Sequence, residues 1–223
     1  MRTKKCSTLT SDEIVALEPV RGKSSLVRVV LRDLGVIEIP LPVWADGGYR
    51  IGMQLNEEEI EVLSLQAEVA KARELALSSL DRKPRTVREM DGYLRKKGVT
   101  GQVREQVVQN LLDRNLLSDE QYAKLFSTAR GKRMSRAELA WKLQQRGVGR
   151  EVFEPVLNTD EALQAERLAA EQAGKKCWRR YRGEEPLQRR QKTAAYMQRH
   201  GFSTSVIRQV LSELERQSED LLP

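Results

Sequence analysis

Cysteine and histidine are scarce in this 223-residue sequence, which contains two cysteines and one histidine. Cys6 and Cys177 lie far apart, and neither has a cysteine or histidine at metal-ligand spacing, so a disulfide framework and a zinc site are excluded. The single histidine, His200, leaves no Ser-His-Asp triad in its usual form. The glycine-rich Gly-x-Gly-x-x-Gly and Walker phosphate loops are also missing. These absences predict a protein that is not an enzyme and that holds no metal or other cofactor.

Long apolar segments are missing as well. No run of about 18 apolar residues occurs, and the first thirty residues lack an apolar core of signal-peptide length. The sequence therefore predicts a soluble, cytoplasmic protein without a membrane partner.

Charge is abundant but unevenly distributed. Hydrophobic residues make up 39% of the chain and charged residues 32%, with a formal net charge of +7. Residues 1–64 carry 8 basic and 10 acidic side chains, a net of −2, whereas residues 65–223 carry 31 and 22, a net of +9. We therefore expect the C-terminal part to bind an acidic or polyanionic partner.

Three segments centred on a glycine repeat along the chain. In each, an apolar residue lies four positions before the glycine, another follows it directly, and more occur downstream at helical spacing, as is typical of one helix ending and another beginning. The aligned pairs are Gly98-Val99, Gly147-Val148 and Gly201-Phe202. The glycines are 49 and 54 residues apart, which is in the period range of helical repeat proteins.

Helix-start signals precede these glycines. Thr86 with Glu89, and Ser135 with Glu138, have the spacing of a capping box, and Pro186 suits a first helical turn. A leading helix is predicted before each start, at 57–80, 119–130 and 160–173, with Leu163 and Leu168 facing inward. The first of these spans is either one long helix or two. A longer link, 174–185, follows the last of these helices.

The first 55 residues have a different pattern. Apolar and β-branched residues predict short strands at 14–20, 26–31, 36–43 and 49–51, and Pro40 places the third strand at a sheet edge. The predicted fold is therefore mainly α. Three tandem three-helix repeats at 56–117, 118–158 and 159–215 form an elongated curved array, preceded by a small β-hairpin module at 1–55 and followed by an acidic tail at 216–223.

Basic clusters are the positive functional signal. Residues 175–208 carry ten lysines and arginines against Glu184 and Glu185, with Trp178 and Tyr181 among them. Cations alternating with aromatic rings can contact phosphates and stack on bases. A solvated helix face with one buried tryptophan has the same pattern. Trp141 is expected in the core or in packing between repeats. The candidate nucleic-acid- or filament-binding residues are Arg95, Lys96, Lys97, Arg130, Lys132, Arg133, Lys142, Arg146, Lys175, Lys176, Trp178, Arg179, Arg180, Arg182, Arg189, Arg190 and Lys192.

These segments resemble the RecX family of bacterial regulatory proteins over about residues 60 to 215. The resemblance rests on Ala72, Pro84-Arg85, Leu94-Arg95-Lys96-Lys97-Gly98, Leu116, the Asp119-Glu120-Tyr122-Ala123-Phe126-Arg130 pattern and the Ser135-Arg136-Glu138-Leu139-Lys142-Leu143-Arg146-Gly147 pattern. The β module resembles the N-terminal hairpin extension of some longer family members.

The resemblance implies a modulator of the RecA recombinase. A protein of this kind binds the filament of RecA on single-stranded DNA, lies along its groove, and suppresses ATPase activity and strand exchange. We expect it to act as a monomer and to contact single-stranded or duplex DNA. The alternative is a stand-alone nucleic-acid-binding protein, such as a helix-turn-helix transcriptional regulator.

Overall fold

The computed structural model describes residues 11–219, apart from the side chains of residues 23, 24 and 219. Within this range the chain divides into two compact units. The first contains 11–83 and Met90–Arg114, and the second contains Pro84–Glu89 and 115–219. Cys6 and the last four residues of the predicted acidic tail lie outside the described residues.

A four-stranded antiparallel sheet forms the N-terminal part of the first unit. Its strands are β1 (Ser11–Val20), β2 (Lys23–Leu31), β3 (Gly35–Pro40) and β4 (Gln54–Asn56), in the order β3-β2-β1-β4. The prediction that the third strand lies at an edge is confirmed. Ile14, Val29 and Ile39 are fully buried and form the core beneath the sheet.

Two parts of the β-module prediction are wrong. The third strand ends at Pro40, and residues 41–43 open a short helix, α1 (Leu41–Gly47), because Pro42 suits the first helical turn. Residues 49–51 are not a strand, and Ile51 is largely exposed. The fourth strand is β4, where Asn56 pairs with Ser11 of β1.

One long helix covers the sheet. Helix α2 (Glu57–Arg82) is continuous, and the side chain of Asn56 caps it by accepting a 2.9 Å hydrogen bond from the Glu59 amide. The Glu59 carboxylate accepts in return from the Asn56 amide, which completes a capping box. Leu63 and Ala67 of α2 join the core of the sheet. Helices α3 (Val87–Lys96) and α4 (Gly101–Asp113) follow, and the boundary between the two units falls within α3.

Six helices form the rest of the second unit. They are α5 (Asp119–Arg130), α6 (Arg136–Gln145), α7 (Arg150–Leu157), α8 (Asp160–Arg180), α9 (Pro186–Arg199) and α10 (Thr204–Glu219). Helices α5 to α7 enclose one apolar core, and α8 to α10 enclose another. The chain is thus mainly helical with a small antiparallel sheet at its N-terminal end, as predicted.

Helix α8 is longer than its pattern predicted. It continues through Gly174, so most of the predicted link is its last two turns. A Cβ atom on Gly174 would lie 2.6 Å from Cγ1 of Val210, so this glycine allows α8 and α10 to pack closely and does not end the helix. The prediction that Leu168 faces inward is also wrong, because its side chain is 45% exposed.

Two equivalent contacts within the second unit, here called the cap joints, connect helix starts to glycine stops. The hydroxyl of Thr86 accepts a 3.1 Å hydrogen bond from the Glu89 amide and donates a 2.7 Å bond to the carbonyl of Arg146. Ser135 repeats both bonds, accepting from the Glu138 amide at 3.1 Å and donating to the carbonyl of His200 at 2.6 Å. Each hydroxyl therefore caps the start of one helix and donates a hydrogen bond to a carbonyl at the end of another.

A carboxylate completes each cap joint. Asp119 Oδ1 accepts a 2.8 Å bond from the amide of Val87, the first residue of α3. Glu166 Oε1 accepts a 3.1 Å bond from the amide of Arg136, the first residue of α6, and its other oxygen pairs with the Arg136 guanidinium. Burial raises the pKa of Asp119, and the bond from Val87 opposes this effect.

The glycines at the cap joints are constrained twice. Gly147 and Gly201 have φ angles of 87° and 78°, which a residue with a side chain rarely adopts. A Cβ atom on Gly147 would also lie 2.3 Å from Cδ of Arg88, and one on Gly201 would lie 2.9 Å from Oγ of Ser135. Gly98 has a similar φ of 82°, but none of the described residues lies within 4 Å of its Cβ position.

We expect Gly147→Ala to lower the free energy of unfolding more than Gly98→Ala. Both substitutions meet the positive-φ cost of about 1–2 kcal/mol, whereas only Gly147→Ala must also displace Arg88, at about 1–3 kcal/mol more. Gly149→Ala is the control, because Gly149 has a φ of −67° and its Cβ would meet only the flexible end of Glu151. Chemical denaturation measures the difference, and equal losses for Gly98→Ala and Gly147→Ala would contradict this account.

The cap joints predict a second difference, between two matched serines. The Ser118 hydroxyl caps α5 by accepting a hydrogen bond from the Gln121 amide, and among the described residues it donates to no carbonyl of another helix. The Ser135 hydroxyl makes both kinds of bond. Ser118→Ala should cost about 0.5–2 kcal/mol, the usual loss of an N-cap. Ser135→Ala should cost about 1–3 kcal/mol more, because the carbonyl of His200 also loses its partner. If thermal melts show the same shift for both variants, the second bond contributes nothing.

Candidate nucleic-acid interface

The densest basic cluster lies at the C-terminal end of α8. Lys175, Lys176, Arg179 and Arg180 occupy its last two turns, and Arg182 follows the helix end. All five side chains are exposed. Across the part of the chain that the structure describes, none of them is in an ion pair with a carboxylate. This group, here called the α8 cluster, is therefore available to an external anion.

Three cations of α9 differ from the α8 cluster because they have internal partners. Arg189 donates a 2.9 Å bond from Nε to the carbonyl of Trp178, and its guanidinium lies 4.2 Å from the centre of the tryptophan ring. Burial lowers the pKa of Arg189, and the charge of Arg182 lowers it further. Arg190 pairs with Glu215, and Lys192 pairs with Glu184. The predicted residues Arg189, Arg190 and Lys192 thus stabilise the fold around α9.

A second basic cluster extends from the end of α5 along α6. Arg130, Lys132 and Arg133 are exposed at and after the end of α5. Lys142 is half-buried and pairs with Glu138 at 3.4 Å. The three residues at and after the end of α5 are therefore the accessible part of this cluster.

Arg146 belongs to a cap joint. Its guanidinium lies 5.8 Å and 5.3 Å from the ring centres of Tyr122 and Phe126, and it contacts Glu89 at 3.2 Å. It also donates a hydrogen bond to the Tyr122 hydroxyl. Burial raises the pKa of Tyr122, and the charge of Arg146 opposes that increase. The internal contacts give Arg146 a structural role in the second unit.

The remaining predicted cations lie in the first unit. Arg95, Lys96 and Lys97 are exposed at and after the end of α3, where cations suit the negative end of the helix dipole. Lys97 Nζ lies 5.9 Å from the centre of the Tyr93 ring.

Trp178 and Trp141 differ in how far their side chains are exposed to solvent. Trp178 is 7% exposed, belongs to the core of α8 to α10, and donates a 3.1 Å bond from Nε1 to the Ser218 hydroxyl. Trp141 is 58% exposed, so its predicted place in the core or in packing between repeats is wrong, and Lys142 Nζ lies 5.9 Å from its ring centre. The exposure of Trp141 could have been predicted from the helical period. Leu139 and Leu143 face inward, and a residue midway between them points to the opposite side of the helix.

Two other kinds of site are absent from residues 11–219. In that range, no group of three or more His, Cys, Asp or Glu residues could hold a metal ion. No described helix is long and apolar enough to cross a membrane.

Comparisons with known proteins agree on one family. Residues 72–111 match the first three-helix domain of RecX, and residues 166–211 match its third three-helix domain. The chain is 25% identical to regulatory protein RecX of Lactobacillus johnsonii, over 72% of this chain and 81% of that protein. It is 29% identical to regulatory protein RecX of Lactobacillus gasseri, over 70% of this chain and 79% of that protein.

Solved structures show the same fold. A crystal structure of regulatory protein RecX is similar with a TM-score of 0.77 and 21% identity, over 89% of this chain and 98% of that chain. The structure of RecX from Lactobacillus salivarius has a TM-score of 0.61 and 20% identity, over 66% of this chain and 97% of that chain.

The helices and the cap joints define a helical-repeat protein, and the matched domains and relatives place it among regulatory proteins. More particularly, the chain belongs to the RecX family.

The two tryptophans give a direct test of the site geometry. Trp178→Ala should lower the free energy of unfolding by about 3–5 kcal/mol, because it leaves a cavity in a buried core. Trp141→Ala should leave stability almost unchanged, since an exposed side chain loses little on truncation. Denaturant titration measures both losses.

Fluorescence quenching provides an independent check of this placement. In a Trp44→Phe background, one variant keeps only Trp141 and the other keeps only Trp178, with the remaining tryptophan replaced by phenylalanine. Acrylamide should quench Trp141 strongly and Trp178 weakly, because only Trp141 is exposed. The reverse order would contradict the placement.

Proposed function

We propose that this protein regulates homologous recombination by binding the RecA–single-stranded DNA filament and lowering its ATPase and strand-exchange activities. The α8 cluster is the observation that carries the proposal. Membership of the RecX family supports the regulatory role, and the resemblance described above supplies RecA as the partner.

The charges of the α8 cluster suit a polyanion. Five exposed cations occur within eight residues, and the helix end places them close together. A filament on single-stranded DNA offers phosphates and acidic protein side chains within one groove, so the cluster can add affinity through either group. The neighbouring Arg189, Arg190 and Lys192 of α9 are held by internal partners, so we expect the external contacts to be concentrated on α8.

Reversing three charges of this cluster tests the proposal. Arg179→Glu, Arg180→Glu and Arg182→Glu together should abolish inhibition of the RecA ATPase, while circular dichroism shows an intact fold because all three side chains are exposed. If the arginines contact phosphates, the slope of log affinity against log salt should fall by up to roughly 2, at about 0.7 for each phosphate on a single strand. If they contact acidic side chains of RecA, affinity for naked DNA should change little.

A matched variant controls for net charge. Lys124→Glu, Arg167→Glu and Arg208→Glu change the charge equally at exposed positions on α5, α8 and α10, outside the α8 cluster. Lys124 pairs with Glu120 at the surface, where such pairs contribute little to stability. This variant should inhibit the ATPase as the unaltered protein does, and equal loss in both variants would refute a specific role for the cluster.

The alternative function predicts a different result for the unaltered protein. Equal affinity for naked DNA and for the filament, with no effect on the ATPase, would favour a stand-alone nucleic-acid-binding protein. The proposed regulator should instead bind the filament more tightly than naked DNA.

A further inference from the structure

A cavity of about 420 Å³ lies between α8 and α9. Its wall is formed by Lys176, Cys177, Arg180 and Tyr196. The volume falls within the range of small-ligand pockets, about 300–1,000 Å³. The wall combines two cations with one aromatic ring, which are the side chains that contact phosphates and bases where proteins bind single strands.

The cations at this cavity are free of internal partners. Lys176 and Arg180 lie one helical turn apart on α8, so their side chains point to the same side. Burial raises the pKa of the Cys177 thiol in this wall, whereas a hydrogen bond with Thr193 and the charges of Arg180 and Arg199 lower it. Over residues 11–219, neither Lys176 nor Arg180 has a carboxylate partner, although Arg190 and Lys192 on the same helix hairpin do.

The aromatic ring is held in place. Tyr196 is half-buried and packs against the core of α8 to α10. Its ring centre lies 4.4 Å from that of the exposed His200 at an angle of 50°. A ring fixed on one side by the core loses little conformational entropy when a planar group contacts its open side. The helix dipole explains cations in the last turn of α8 but does not require this ring beside them.

We propose that this cavity, here called the α8–α9 pocket, binds one nucleotide unit of a single nucleic-acid strand. Lys176 and Arg180 contact the backbone phosphate, and Tyr196 stacks on the base. A duplex does not fit this mode, because its bases are already stacked and paired. An acidic peptide would use the cations but would gain nothing from the ring face, so the pairing of charge with a stacking face favours the strand.

The inference rests on the proposed function for its biological setting, but its test uses naked DNA. The full-length protein is titrated into two fluorescent strands of equal length, one of thymidines and one with abasic sites throughout. Lys176→Gln with Arg180→Gln should reduce the salt slope by about 0.7 on both strands, the value for one neutralised phosphate on a single strand. Tyr196→Leu should weaken binding to the thymidine strand about 5- to 10-fold and leave the abasic strand unchanged.

Two control variants accompany these substitutions. Tyr196→Phe keeps the ring and should retain the preference for thymidine. Arg167→Gln with Arg208→Gln removes the same charge from exposed positions on α8 and α10 away from the pocket, and it should leave the slope unchanged. A thermal melt of each variant verifies that its fold persists.

The outcomes separate this inference from the proposed function. Equal slope changes in the pocket pair and the control pair, or equal losses on both strands with Tyr196→Leu, overturn the pocket. Loss of RecA inhibition by the pocket variants with unchanged DNA binding also overturns it and identifies an acidic protein surface as the occupant. If the unaltered protein fails to inhibit RecA while the strand results are as expected, the proposed function fails and the pocket stands.

Discussion

The second unit depends on one repeated interaction, in which a buried hydroxyl starts one helix and ends another. Thr86 and Ser135 are both fully buried, so each hydroxyl must satisfy its donor and its acceptor capacity within the protein. The amide three residues ahead donates to the oxygen, and the hydroxyl donates to a carbonyl in the last turn before a glycine. A hydroxyl that served only one of these groups would leave a buried polar group without a partner.

The cap joints also explain why the third segment differs. It begins at Pro186, which has no amide hydrogen to donate, and the preceding Glu185 makes no side-chain capping bond. A joint of the same kind is therefore not formed there. The cations of α8 and α9 that follow Gly174 differ in their partners. Arg189, Arg190 and Lys192 hold the helices together, whereas the α8 cluster remains free to bind an anion. The proposed regulation depends on this division.

Several features of the fold were predictable because they have local causes. The helix starts follow from side chains that satisfy nearby amides, at Asn56, Ser118 and Ser135. The glycine stops follow from backbone conformations that other residues avoid, and the edge position of the third strand follows from a proline without an amide hydrogen. Gly174 shows the limit of such local signals. It lies inside α8, and the reason for a glycine there is the close approach of Val210 on α10, which the sequence does not show.

The sequence by itself determined the helical repeat pattern, the caps and the excess of positive charge, since each arises from residues a few positions apart. Tertiary structure decided which side chains are free. Trp141 and Trp178 both occur beside cations in amphipathic segments, yet one is exposed and the other is buried, because packing decides which side of each helix is covered. Arg146, Arg189 and Arg190 look like any other basic residue in the sequence, but their partners lie 11 to 57 residues away and are brought to them only by folding.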